Sequence, residues 1–190
     1  TLIQFLQHKN YEVIVLAQSD KYAEQLAKLN IQLISMPINS QKLSIVNDIK
    51  LLVMYIWYFF QIKPDIYLGY TIKPNLYGSI AAKIFNIPII NNINGLGKAF
   101  SSKGLLSTFA RYAYKFALKK SRTIFFQNQE DKDFFISLGI ANHLNSRLLP
   151  GSGVDLEAFN EDLFSKQQGQ PFTFILIARL LKEKGIFEYI

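Results

Sequence analysis

Cysteine is absent from the 190 residues. That excludes disulfides, thiolate metal sites and a cysteine nucleophile, and it fits a reducing cytoplasm. Acidic residues are under-represented: 14 Asp and Glu stand against 21 Lys and Arg, leaving a net charge of +7. Such an excess favours a polyanionic partner, whether nucleic acid, an anionic bilayer or a phosphorylated substrate. Long apolar runs are lacking too. The longest uncharged one covers residues 51–60, between Lys50 and Lys63, short of the ~20 residues that cross a bilayer. It fits a helix buried against a sheet, or one that touches a membrane surface. The opening residues have Leu2, Phe5 and Leu6 at helical spacing but no charged leader or cleavage site, so no signal peptide is expected. There is no initiator Met, and the true start of the chain is expected elsewhere. Neither a repeat nor a low-complexity segment is present.

What is there has the composition of a globular protein, 49% hydrophobic and 18% charged, long enough for one sizeable core and too short for two full doubly wound domains. Apolar strands and amphipathic helices alternate from the start. Strands are expected at 11–17, 31–36, 65–69, 88–92, 123–127 and 147–149. Helices are expected from Ser19 or Asp20 to Leu29, from Ser44 to Ile62 where Pro64 stops it, from Pro74 to Phe85, from the loop after Gly97 to Lys120, and from Glu130 to Leu138, where Gly139 caps it. This rhythm argues for an α/β fold with a doubly wound, Rossmann-like parallel sheet that lacks its opening strand. Such sheets bind ligands at the carboxyl ends of their strands, which directs attention to the loops at 17–20, 69–75, 92–98, 127–130 and 150–155.

The order of the chain changes at Leu149-Pro150-Gly151-Ser152-Gly153-Val154-Asp155. Pro150 donates no backbone hydrogen bond, and Gly151 and Gly153 admit positive φ, so a strand ending at Leu149 must turn here. Asp155 can cap a short helix with Phe159 one turn on. A new strand follows at 174–178, with Arg179, Lys184 and Gly185 behind it. The expected domains are therefore 1–149, a joint over 150–170, and the first strand and helix start of a second α/β domain over 171–190.

Several residues offer binding chemistry. Thr71, Lys73 and Asn75 lie between a strand end and a helix start, where free N–H groups and a lysine suit an anion or a sugar hydroxyl; capping by Thr71 or Asn75 is the plainer use. Asn94, Gly95 and Gly97 form a second loop, whose two glycines fall short of the three that a dinucleotide fingerprint needs. Over residues 103–122, Arg111, Lys115, Lys119 and Arg122 make one basic stripe, with Leu105, Phe109, Tyr112, Ala113 and Phe116 expected on the opposite side. The stripe is either a solvated face or a contact with an anionic membrane or a polyprenyl-diphosphate acceptor. No stacking groups or reader motif point to nucleic acid. Asn128 or Gln129 is expected to cap the next helix.

Three of these segments carry a family likeness. The Pro-Gly-x-Gly-Val-Asp joint, the Tyr-Thr-Ile-Lys-Pro-Asn-Leu-Tyr-Gly segment with its small Gly78, Ala81 and Ala82, and the Asn-Ile-Asn-Gly-Leu-Gly loop together resemble family 4 glycosyltransferases of the GT-B fold, in the subfamily that makes bacterial surface polysaccharides. Arg179 and Lys184 resemble the Arg-x4-Lys-Gly element with which such enzymes hold the donor diphosphate. An arginine fork and a lysine point charge together neutralise a leaving nucleoside diphosphate without a metal. The resemblance implies a retaining transferase at the inner face of the cell membrane, with a nucleotide sugar as donor, a lipid-linked or saccharide acceptor, and no cofactor. Two departures stand out: Tyr70 and Asn10-Tyr11 replace a histidine and a Gly-His of many members, and His8 and His143 do not align with that histidine. The family's Glu-x7-Glu motif would lie beyond Ile190, so the chain is expected to be a fragment, inactive alone and prone to self-association through an uncovered apolar face. A non-catalytic membrane-binding module and a nucleotide-sugar epimerase of the same fold are the alternative readings.

Overall fold

The computed structural model describes residues 1–19, 23–38, 44–95, 100, 105–149, 151, 153–154, 156–157, 159–160, 174–178, 180 and 185–189, with backbone alone at 25 and 105–107. The chain divides into two compact units, Thr1–Ser152 and Gly153–Ile190. In the first, α1 (Leu2–His8), β1 (Ile14–Ala17), α2 (Ala23–Lys28) and β2 (Gln32–Ser35) lead to the long α3 (Ile45–Ile62). Then come β3 (Tyr67–Tyr70), a π-helical turn (Pro74–Gly78) continuing into α4 (Ser79–Ile84), and β4 (Ile89–Ile93). The unit closes with α5 (Leu105–Leu118), β5 (Ser121–Phe126), α6 (Gln129–Ser137) and β6 (Ser146–Leu148).

Every strand pair is parallel, as the alternation requires, but the strands form two sheets, β1-β2 and β3-β4-β5-β6. β1 and β3 each keep one edge without a strand among the described residues.

Register decides which side chains meet the helices. Tyr67 pairs with Ile89, and Ile93 with Phe126, so alternate residues of three strands share one face. Two buried clusters lie there. In one, Leu51, Tyr55 and Phe59 of α3, spaced four apart, pack with Ala81, Ala82 and Ile89. In the other, Tyr114 and Leu118 of α5 and Phe135 of α6 pack with Ile124 and Phe126. Each holds an edge-to-face ring pair: Tyr55 and Phe59 are 5.7 Å apart in the first, and Phe126 and Phe135 5.3 Å in the second, each pair adding about 0.5–1.5 kcal/mol beyond burial.

Local signals set the boundaries. Lys63 adopts a left-handed φ of +50° after α3, just before Pro64. Asn128 caps α6 by accepting the Asp131 N–H at 2.7 Å, and Gly139 follows it at φ +62°. A Cβ at Gly78 would run into the Tyr67 hydroxyl, so only glycine lets the π turn meet β3 this closely. Ala81 and Ala82 are fully buried one turn on.

Three expectations are corrected. α5 ends at Leu118, which leaves Lys119 beyond the helix and puts Arg122 second in β5. Phe109, Tyr112 and Phe116 point outward; the buried face is Tyr114, Ala117 and Leu118. The helix has two apolar faces, and the one that carries Tyr114, Ala117 and Leu118 is turned inward. In the second unit, residues 174–177 form no strand, and Phe174, Ile175 and Ile177 are exposed. A parallel strand needs a ladder partner, and the described residues of that unit supply none. There the Tyr189 hydroxyl at the end of α7 (Ile186–Tyr189) donates to the Phe174 carbonyl at 2.8 Å.

Candidate functional site

The carboxyl ends of the strands carry the candidate chemistry. After β3 the half-exposed Tyr70 is followed by Thr71 at φ +63°, a left-handed conformation that costs a non-glycine residue about 1–3 kcal/mol. The bend sends the chain into the π turn, where the Asn75 N–H donates to the Thr71 carbonyl at 3.1 Å. Lys73 folds inward: its ammonium meets Asp48 Oδ1 at 2.7 Å, with both side chains largely buried. Asp48 lies in the first turn of α3, where the helix N-terminus favours a negative charge. The Tyr77 hydroxyl also bonds to Asp48; burial first, and then the carboxylate's charge, pushes its pKa up to about 12.

A buried polar seam runs beneath this loop. Ser121 Oγ donates to Asn91 Oδ1 at 2.6 Å, and Asn91 Nδ2 donates to Asn75 Oδ1 and to Ser79 Oγ, each at 2.9 Å. Asn75 Nδ2 in turn donates to the Asn92 carbonyl at 2.9 Å. A Cβ at Gly69 would come within 2.7 Å of Asn75 Oδ1 and 2.9 Å of Asn91 Nδ2, so the seam needs the bare backbone below it. Asn75, at 1% exposure, thus has both ends of its amide engaged inside the protein. Asn92, in register with Tyr70, is buried, and its Oδ1 has no hydrogen-bond partner. An orphaned buried acceptor at a strand end is where a ligand hydroxyl would be satisfied.

An open groove of about 510 Å³ lies at the carboxyl ends of β1 and β2, where the 17–20 loop was expected to matter. Gln18, Ser19, Ser35, Asn47 and Lys50 give it polar walls, and Met36 and Met54 an apolar floor. Asn94 and Gly95 are exposed after β4, Gly95 at φ +147°. Gly151 and Gly153 take the positive φ values that their turn requires, +73° and +76°, one in each unit. Gly97, Arg179 and Lys184 lie outside the described residues. Arg111, Lys115, Lys119 and Arg122 are all exposed. Arg111 lies 5.8 Å from the Phe134 ring and, with Lys115, lines a smaller groove of about 260 Å³ between α5 and α6. Among the described residues no three His, Asp or Glu side chains form a metal-binding group.

Sequence reasoning missed Asp48, Ser79, Asn91, Asn92 and Ser121. The signals were present: Asp48 falls on the same helical stripe as Leu51 and Tyr55, and two asparagines interrupt the apolar strand at 89–93. A polar residue in a core position asks for a partner.

A family model described as Glycosyl transferase 4-like matches residues 1–128. The capsular polysaccharide biosynthesis glycosyltransferase CapM of Staphylococcus aureus is 27% identical over 198 aligned positions, covering 99% of this chain and 51% of that protein. The chain therefore spans about half the length of this curated relative. Among solved structures, Anabaena Alr3699/HepE in complex with UDP and glucose aligns at a TM-score of 0.57 and 18% identity, over 82% of this chain and 41% of that one. A UDP-N-acetylglucosamine 2-epimerase aligns at 0.54 and 20% identity, over 75% and 42%. At such identities these two speak for the fold.

Proposed function

Since the chain belongs to the glycosyl transferase 4-like family, we propose that it is the acceptor-side part of a transferase that moves a sugar from a nucleotide sugar to a lipid-linked or saccharide acceptor during surface-polysaccharide synthesis. The observation that carries the reading is the family match over residues 1–128, the stretch that contains the groove and the loops at the carboxyl ends of β1 to β4. The relative CapM is named for capsular polysaccharide, and HepE was solved with UDP and glucose; both fit a nucleotide-sugar donor.

In this proposal the groove beside β1 and β2 takes the acceptor, with Lys50 as its cation and Gln18, Ser19 and Asn47 meeting hydroxyls. Asn92 Oδ1 and the loop of Asn94, Gly95 and Gly97 bind at the end of β4. The Lys73–Asp48 pair and Asn75 hold the neighbouring turn rigid, so they position the site from below. Gly151 and Gly153 give the turn that leads to the donor side. There Arg179 and Lys184 take the charge that develops on the diphosphate as the glycosidic bond breaks, so that no metal is required. The anomeric configuration is retained, and the protein works in the cytoplasm, at the inner face of the membrane.

The test, made on the complete enzyme because this chain alone is expected to be inactive, is a transfer assay with labelled nucleotide sugars and a bacterial membrane extract as acceptor source. Label passing into lipid or saccharide supports the proposal, and Arg179→Ala should then lower turnover more than about tenfold. The fold likeness to the 2-epimerase makes the rival outcome specific: isomerisation of free nucleotide sugar with no acceptor present. Consumption of no donor at all would overturn both readings.

A further inference from the structure

The larger sheet has two faces, and the two buried clusters lie on one of them. Tyr67, Ile89, Ile93, Ile124 and Phe126 point there. Side chains alternate along a strand, so Tyr70, Asn92 and Phe125 point to the other face. Register sets these three side by side: Asn92 of β4 pairs with Tyr70 of β3 and with Phe125 of β5. Each is the last or the last but one residue of its strand, so the row lies at the carboxyl ends.

Within this row burial runs against polarity. Asn92, the most polar of the three, is 9% exposed, whereas Tyr70 is 39% exposed and Phe125 half-buried. Asn92 Oδ1 has no hydrogen-bond partner among the described residues, while the backbone carbonyl of the same residue accepts from Asn75 Nδ2 at 2.9 Å. The main chain is therefore held and the amide oxygen is left over. A buried acceptor without a donor costs stability, and a leucine of similar volume would remove that cost. A ligand that fits the row needs an O–H or N–H donor at one edge and an apolar face for the flanking rings. A pyranose has both, with hydroxyls around its rim and C–H groups across its face. A hydrocarbon chain would leave Oδ1 unpaired.

We infer that the Tyr70–Asn92–Phe125 row is a sugar-selecting subsite, in which a pyranose lies against the Tyr70 ring and one of its hydroxyls donates to Asn92 Oδ1. Phe125 borders the same sugar on the β5 side. The inference rests on the transferase reading and deepens it, because it names the single hydroxyl by which a substrate is chosen. The pyranose belongs to the acceptor or to the donor, and the experiment has an arm for each.

The complete enzyme is screened by saturation-transfer NMR. One arm uses UDP-glucose and UDP-N-acetylglucosamine; the other uses the methyl glycosides of glucose, galactose, mannose and N-acetylglucosamine. The tightest ligand of each arm is then replaced by its monodeoxy analogues. In one arm, loss of one particular hydroxyl should weaken binding about tenfold or more, and loss of the others far less. In Asn92→Leu the parent sugar and that deoxy analogue should bind alike. This ratio isolates the pair, because a general loosening of the fold would weaken both ligands together. Tyr70→Ala should weaken both by one common factor, since the ring supplies contact area and not the hydrogen bond. Without ligand, the thermal midpoint of Asn92→Leu should stay level or rise. A clear fall would show that Oδ1 is satisfied inside the protein and would overturn the inference. So would binding by no sugar of either arm, equal tolerance of every deoxy analogue, or hydroxyl selectivity that survives in Asn92→Leu. Selective binding without sugar transfer would retire the transferase reading and support the subsite; transfer without that selectivity would do the reverse.

Discussion

Beside β3 and β4 the usual partition of side chains is reversed in one sense, and on the outer faces of α3 and α5 in the other. In the first region Lys73 is inside and paired with Asp48, and Asn75, Asn91 and Ser121 are inside and linked through Asn91. In the second, Trp57, Phe109 and Phe116 are outside and only partly covered. A polar group taken from water must find its partners within the fold, so the seam is bonded throughout except at Asn92 Oδ1. An apolar group left in water has no such requirement and can await a partner. The first region should therefore govern stability, and the second should hardly affect it.

The largest effect expected is at Asp48. Asp48→Ala takes away the carboxylate that neutralises the buried Lys73 and should lower unfolding free energy by about 3–5 kcal/mol in urea denaturation. If the pair sets geometry rather than stability, Asp48→Leu with Lys73→Met should recover most of that loss. Next comes Asn91→Ala, which strips Ser121, Ser79 and Asn75 of a shared partner; about 2–4 kcal/mol is expected by the same measurement. A loss below about 1 kcal/mol would mean that water replaces the amide.

A milder change follows from pH. Burial pushes the Tyr55 hydroxyl up to about 12. The folded value exceeds the unfolded value near 10, so this contribution is complete below pH 10 and is lost as pH rises from there towards 12. Thermal midpoints should fall across that window, and less steeply in Tyr55→Phe. Smallest of all, Phe109→Ser should move stability by no more than about 0.5 kcal/mol. A larger loss would place Phe109 in the core and dissolve the contrast between the two regions.

How far the sequence revealed these regions depended on the range of the interactions. Pro64, Gly139 and Asn128 act on their own helices, and each boundary they announce is found. The small residues at 78, 81 and 82 likewise foretell a close helix–sheet contact, because no other side chains fit there. The outward turn of Phe109, Tyr112 and Phe116 was not legible: periodicity identifies the faces of a helix but cannot choose between two apolar ones. The Lys73–Asp48 pair joins residues 25 positions apart, and no local rule selects that partner. At the candidate site the loops were legible, because parallel strands must end somewhere, whereas the polar seam depends on register across three strands.

The division of the strands into two sheets bears on how the first unit answers heat and time. β4 and β5 have hydrogen-bonded neighbours on both sides, whereas among the described residues β1 and β3 each have a strand neighbour on one side only. Deuterium should enter along those edges long before it reaches β4 and β5. A strand edge without a neighbour is also a template for any extended segment that drifts past, including one from another molecule. On warming, then, the first event should be strand capture at these edges, with precipitation setting in before the helices have melted.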